Sequence, residues 1–531
     1  MSIAAIDSWP SIPAMVTATE KRFGGQQAIV DDDVALSYAE LATAGREFGA
    51  ALIASGIAAG DRVAIWCFNC AEWVIAVLGV WEAGAVLVPV NTRFKGAEAA
   101  DIIGRSRSRA LVTVTDFLGT DYVALLAESG IELPDLETIV ITRGAVPARA
   151  VTWTDFVARA TDDARAEARR RSVALGPEST SDILFTSGTT GSPKGVVQTH
   201  GRTLHVATDW AAMTGLSPAD RYLMVNPYFH MFGLKAGILA AIAGGAMMLP
   251  EAVFDVDRVL ARVSGERVTV LPGPPTLYQS ILEHRARDTF DLTTLRVAVT
   301  GAADIPVELI RRVLDELPFA MVIAGYGLTE GGTATATSPD DDAETIATTV
   351  GRPRSGFEVR IVGTTGEDVP VGKPGEILLR SPSVMKEYLD DPNATAEVLG
   401  VDGWLRTGDI GVFDERGCVR IVGRSKDMFI VGGFNAYPAE IENLLLRHPD
   451  IAAVAVIGVP DERLGEVGMA FVVRRPGATT NEAELIAWSR GEMANYKVPR
   501  VVELVDELPM NATGKVVKTE LHERAARLSR T

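Results

Sequence analysis

Short runs of apolar and β-branched residues alternate with helix-length segments through roughly the first 350 residues, and this alternation constrains the fold most. Arg62-Val63-Ala64-Ile65-Trp66 leads into a helical stretch from about Ala71 to Ala83, then into Val86-Leu87-Val88-Pro89-Val90. Similar strand-like runs stand at 139–141, 183–185, 247–249, 268–271, 296–299 and 321–323. Strand–helix–strand repetition predicts an α/β fold with parallel sheets, and puts chemistry in the loops after the strand ends. Thr186, Gly301 and Gly325 open such loops. Beyond about residue 350 the pattern becomes short alternating strands at 357–362, 375–380 and 418–422, which predicts a small β-barrel subdomain. The polar knot Gly423-Arg424-Ser425-Lys426-Asp427 then precedes helices at 438–447 and 481–496 and strands at 452–459 and 469–474. The predicted layout is a large N-terminal domain, 1–425, of two α/β subdomains plus the barrel. A small α+β C-terminal domain, 426–531, completes it.

With 531 residues the chain exceeds what one core supports. A net charge of −18 argues against nucleic acid as a partner, and requires any anionic ligand to be met by a local cluster of donors. The longest apolar stretch, 236–250, is too short to span a bilayer. Residues 1–7 show no basic region before an apolar run, so a soluble, cytoplasmic chain is expected. Cys67-Phe68-Asn69-Cys70 has the spacing of a redox dithiol, but no second cysteine pair or flanking histidine accompanies it. A structural pair at a strand-to-helix junction is the expectation.

After the strand-like Ile183-Leu184-Phe185 comes Thr186-Ser187-Gly188-Thr189-Thr190-Gly191-Ser192-Pro193-Lys194-Gly195. Glycines let backbone N–H groups approach an anion, while hydroxyls and Lys194 add donors and charge. The loop suits phosphate. It is not a Walker A loop, because no Gly-Lys-Ser/Thr ending is present. Taken alone it also fits a surface turn.

Five further stretches follow in order. They are Asn226-Pro227-Tyr228-Phe229-His230-Met231-Phe232-Gly233, Tyr326-Gly327-Leu328-Thr329-Glu330 and Gly403-Trp404-Leu405-Arg406-Thr407-Gly408-Asp409. Gly423-Arg424-Ser425-Lys426-Asp427 with Gly432-Gly433, and Pro509-Met510-Asn511-Ala512-Thr513-Gly514-Lys515, complete the series. Together they resemble the motif series of the adenylate-forming superfamily, which includes acyl-CoA synthetases, peptide-synthetase adenylation domains and firefly-type luciferases. The resemblance runs from about residue 25 to the C-terminus.

That resemblance implies ATP and coenzyme A as substrates with Mg²⁺ as cofactor. A carboxylate attacking the α-phosphorus of ATP is anion meeting anion, so the site must neutralise charge and align the reactants. Thr186, Ser187, Gly188, Thr189, Thr190, Gly191 and Lys194 would hold the β- and γ-phosphates. Thr329 would donate to the α-phosphate and Glu330 would be the metal ligand; a helix cap with an acidic first turn is the plainer reading of the two. Tyr326 and Gly327 would face adenine opposite Gly301-Ala302-Ala303, and Asp409 with Arg424 would hold the ribose. Lys515 would bridge the attacking carboxylate and the α-phosphate. Lys426 would be the hinge on which the C-terminal domain turns to remove Lys515 and present Gly432-Gly433 to the thiol arm of CoA.

His230 is implied as a gate between the nucleotide and acyl pockets, the latter lined by Phe229, Lys235, Ala236, Gly301, Gly325, Gly331, Gly332 and Thr335. These small residues would admit a bulky or long hydrophobic acid. The absence of an acidic residue around His230 counts against an amino-acid substrate. Lys235 fits either a snorkelling surface position or a substrate-facing one. The expected activity is AMP-forming carboxylate–CoA ligation of a fatty, alicyclic or steroid-derived propanoic acid. Leu271–Ser280, Ala298–Ala303 and Asn226–His230 are similar to actinobacterial ligases of the steroid-derived indanedione propanoate. An aryl-CoA ligase, a luciferase-like oxygenase and a non-catalytic AMP sensor are the alternatives, and a homodimer is left open.

Overall fold

The run Val63–Trp66 is buried on both faces, which is what an apolar strand inside a helix-covered parallel sheet requires. The computed structural model describes residues 9–186, 193–301, 305–431, 434–461, 463–511 and 515–528. They divide into two compact units, Met1–Glu358 with Arg380–Leu405, and Val359–Leu379 with Arg406–Thr531.

The first unit contains two large sheets. One has eight strands in the order Glu387–Tyr388, Lys194–Thr199, Thr180–Thr186, Val86–Pro89, Arg62–Trp66, Ser108–Thr113, Thr138–Ile141 and Val151–Thr152. Thr180–Thr186 and the five strands after it in that order pair in parallel, whereas the first two join antiparallel. The other sheet has nine strands, with a parallel core made of Met321–Leu328, Val297–Gly301, Val270–Pro272, Arg221–Met224, Met247–Pro250 and Gln27–Asp31. The expected α/β alternation is thus present. Helices Tyr38–Ala54 and Ala71–Glu82 approach through glycine: a Cβ on Gly79 would lie 2.8 Å from both Gly45 O and Gly49 N. The first of these helices begins with a capping box in which Ser37 Oγ accepts from Glu40 N and Glu40 Oε2 accepts from Ser37 N. Among the described residues no helix is long and apolar enough to cross a membrane.

The second unit also has two sheets. One contains Phe429–Val431, Phe434–Ala436, Ile451–Asp461, Gly465–Arg474 and Val501–Leu504, with helices Pro438–Leu445, Glu482–Glu492 and Lys518–Leu528. This is the α+β arrangement expected for the C-terminal segment. Among the described residues Glu358–Val362, Gly375–Arg380, Leu405–Phe413 and Val419–Arg424 form a four-stranded sheet. Tyr437 and Met428 pack against Ile410, Val412 and Val422, so the four-stranded sheet shares a small core with the segment after the polar knot.

Candidate active site

The phosphate-loop stretch leaves one strand and enters another. Thr186 ends Thr180–Thr186, Lys194 begins Lys194–Thr199, and the two residues face each other as the last pair of an antiparallel ladder. Ser187, Gly188, Thr189, Thr190 and Gly191 lie outside the described residues. Arg105 braces the exit of the loop, donating to Pro193 O at 2.7 Å while lying 5.3 Å from the Phe185 ring centroid.

Glu330 sits against this hairpin. Its Oε1 accepts from Thr186 Oγ1 at 3.4 Å and from the Tyr388 hydroxyl at 3.1 Å. Lys194 Nζ lies 5.0 Å from the centroid of the same Tyr388 ring. Burial, with the charge of Glu330 second, pushes the Tyr388 phenol well above its ordinary range, so it stays a proton donor. The backbone of the motif is clamped as well: Gln198 Nε2 donates to Thr329 O at 3.1 Å, and Met385 N to Glu330 O at 2.6 Å. Thr329 and Glu330 lie in a turn between paired strands, not at the start of a helix, so the plain cap reading is excluded. A carboxylate oxygen flanked by hydroxyls is a hard donor set that suits Mg²⁺ beside phosphates.

Tyr326, Gly327 and Leu328 pair with Thr335, Thr333 and Gly332 in a β-hairpin that carries this turn. Gly332 has φ +77°, a left-handed conformation, and a Cβ there would meet Ser383 Cβ at 2.9 Å. Gly301 lies beside Gly325 in parallel register, and a Cβ on Gly301 would lie 2.8 Å from Gly325 O. Gly301, Gly325, Tyr326, Gly331, Gly332 and Thr335 therefore gather at one end of the sheet. The Thr335 hydroxyl itself is bonded to Val350 O. Ala302 and Ala303 lie outside the described residues.

His230 is exposed, at the end of a loop whose geometry comes from elsewhere in the chain. Asn69 Nδ2 donates to Met224 O and Asn226 O, both at 3.0 Å, and Asn69 Oδ1 accepts from Tyr228 N at 2.8 Å. The Cys67–Cys70 stretch thus serves the site through its asparagine. Its two thiols lie 3.8 Å apart and are buried, and burial pushes the Cys70 thiol up, as expected of a structural pair. Phe229 is half-buried beside His230. Lys235 and Ala236 lie in a π-helical segment, Phe232–Leu239, whose residues from Gly233 onward are buried. Lys235 Nζ pairs with Asp182 Oδ1 at 3.0 Å, and Ala236 O accepts from Tyr222 OH at 3.1 Å.

In the second unit, Asp409 and Arg424 are cross-strand partners whose Oδ1 and Nε lie 3.1 Å apart. Asp409 is buried, and its N–H donates to Thr407 Oγ1 at 3.0 Å across a turn made by Gly408 at φ +71°. Lys426 follows directly after this ladder. Lys515 is exposed, and its N–H donates to Asn511 Oδ1 at 2.9 Å while its O accepts from Asn511 N at 2.8 Å. Gly432 and Gly433 lie outside the described residues.

The motif reading was silent on Tyr388, Asn69, Gln198, Asp182 and Arg105. Tyr388 is brought to the site by a strand pairing and Asn69 by a strand-to-helix junction, both distant in sequence, whereas Asp182 and Gln198 stand in the strands flanking the loop and Arg105 ends the helix Gly96–Arg105.

Two family models match the chain: "AMP-binding enzyme" over residues 16–389, and "AMP-binding enzyme C-terminal domain" over residues 440–515. A 3-((3aS,4S,7aS)-7a-methyl-1,5-dioxo-octahydro-1H-inden-4-yl)propanoyl:CoA ligase of Rhodococcus jostii (strain RHA1) is 47% identical over 96% of this chain and 98% of its own. The ligase of the same name from Mycobacterium tuberculosis (strain ATCC 25618 / H37Rv) is 47% identical over 98% of this chain and 99% of its own. Among solved structures, the anthranilate CoA ligase AuaEII in complex with anthranoyl-AMP superposes with TM-score 0.88 at 26% identity, covering 100% of both chains. The chain therefore belongs to the AMP-binding enzyme family, within the adenylate-forming superfamily that its motif series resembles.

Proposed function

We propose that this protein is an AMP-forming carboxylate–CoA ligase acting on a bulky hydrophobic propanoic acid. The acid's carboxylate attacks the α-phosphorus of ATP and pyrophosphate leaves. The CoA thiol then attacks the acyl carbonyl, its proton is lost, and AMP departs. The observation that carries this reading is the convergence of Glu330, Thr186, Tyr388 and Lys194 at the mouth of the phosphate-loop hairpin. It unites a carboxylate, hydroxyl donors and a cation where a triphosphate must be neutralised. Glu330 would hold Mg²⁺, which when bound offsets phosphate charge. Asp409 and Arg424 hold the ribose, and Lys515 supplies the cation for adenylation. Rotation at Lys426 then exchanges Lys515 for the Gly432–Gly433 segment in the thioester step.

The fused-ring propanoate is preferred as substrate because both 47% identical relatives are named for that group. An aryl acid is the second reading, favoured by the superposition with an anthranilate ligase. Incubation with ATP, Mg²⁺, CoA and a panel of fused-ring, medium-chain and aryl acids, scored by mass spectrometry, separates them. The expected result is fastest thioester formation from the fused-ring propanoate. Thioester from aryl acids alone would move the assignment, and none from any acid would refute ligation of these classes.

A further inference from the structure

Lys235 and Asp182 form an ion pair at 3.0 Å in which neither side chain is more than 1% exposed. A pair so deep gains little net stability over an apolar replacement, because desolvating both charges offsets their attraction. The second carboxylate oxygen is occupied too, accepting from Ser181 Oγ at 2.6 Å and Thr203 Oγ1 at 2.7 Å. The pair joins two segments of the site. Asp182 stands in the strand that ends at Thr186 and enters the phosphate loop. Lys235 stands in the π-helical segment that begins two residues after His230. Such underwound segments are rare and need local support.

The two ends are not equally fixed. Asp182 is locked within the sheet, between Leu87 on one neighbouring strand and Gln198 on the other. The π-helical segment abuts the histidine loop directly: a Cβ on Gly233 would lie 2.1 Å from Pro227 O. A shift of this segment would therefore act on the His230 loop, while Asp182 stays held by both neighbouring strands. Burial lowers the Lys235 ammonium's affinity for its proton, with Asp182 opposing that shift.

We propose that Lys235 is a positioning residue: its ion pair with Asp182 fixes the π-helical segment and so sets how the His230 loop meets the acid, while leaving nucleotide binding alone. For its kinetic arm this rests on the ligase reading.

The test is the doubly neutral variant Lys235→Met/Asp182→Asn, which avoids the stranded buried charge that either single change creates. It is expected to fold with a melting temperature near or above native. With the fused-ring propanoic acid as probe, KM for the acid should rise at least about tenfold, while the dissociation constant for ATP stays within about twofold. Amide hydrogen exchange over residues 229–239 should quicken without added ligand. Native acid KM and native exchange in the folded double variant would overturn the proposal, as would an ATP affinity that falls as far as the acid's. A native enzyme inactive on the probe acid would instead count against the substrate reading, and the exchange arm would still decide the positioning role. Lys235→Arg, which retains the charge, should keep acid KM closer to native than the double variant; equal loss would also contradict the proposal.

Discussion

The Tyr388 hydroxyl donates to Glu330 Oε1 across 3.1 Å, tying the two-residue strand Glu387–Tyr388 to the turn after Tyr326–Leu328. The same oxygen accepts from Thr186, so one carboxylate is oriented from two directions. A group held this way loses little freedom on taking up a cation.

Tyr388→Phe removes that donor and keeps the ring that Lys194 faces. A hydrogen bond to a charged group contributes about 1.5–3 kcal/mol, so the Mg²⁺ concentration needed for half-maximal ATP binding should rise roughly tenfold or more. Titration calorimetry with ATP across a Mg²⁺ series checks this. Unchanged metal dependence would remove Tyr388 from the site.

Asp409 is buried, cross-paired with Arg424 and carried on a Gly408 turn, geometry suited to a fixed pair of ribose hydroxyls. Asp409→Asn should weaken AMP binding by about 1.5–3 kcal/mol, roughly tenfold to a hundredfold, in direct equilibrium titration. Affinity equal to native would assign Asp409 to the turn alone.

Lys515→Ala should slow acyl-adenylate formation by a hundredfold or more, the order lost when one charge-stabilising donor is removed. Thioester formation from supplied acyl-adenylate should stay within about threefold of native, because the proposed role of Lys515 is confined to the first step. Single-turnover measurements of both halves give the comparison. Equal loss in the two would contradict the separation of roles.

His200 is buried, with Nδ1 accepting from Ile12 N at 3.3 Å, and desolvation pulls its pKa down to about 4, against the opposing pull of Asp182. An unfolded histidine binds its proton near pH 6.5, so between that value and about 4 the unfolded chain holds more protons than the folded one. Stability from His200 is therefore complete above pH 6.5 and is lost as pH falls to 4, by about 3 kcal/mol. In His200→Asn the acid-side fall in melting temperature should be correspondingly shallower. Parallel melting curves for the two proteins would contradict the assignment.

The strands of the two α/β sheets were legible because each is a short apolar run, and the phosphate-loop stretch because it is a polar run at a strand end, whereas Tyr326–Leu328 and Asp409 stand within strands. Tyr388 was not legible, because it lies 58 residues from Glu330 and is delivered by pairing of Glu387 and Tyr388 with Val197 and Val196. Asn69 was hidden inside a cysteine motif that drew attention to sulfur. Lys235 could not be assigned from sequence, since an apolar run with one lysine does not reveal whether a buried carboxylate lies opposite.

On the proposed reading, one site first activates an acid with ATP and then hands it to a thiol. The decisive measurement follows pyrophosphate and AMP release in the same reaction with acid or CoA omitted in turn. ATP–pyrophosphate exchange should require the acid but not CoA, and sustained AMP release should occur only when both are present, matched one for one by thioester. AMP release that continues without CoA at an undiminished rate, or nucleotide binding with no acid-dependent exchange, would contradict it.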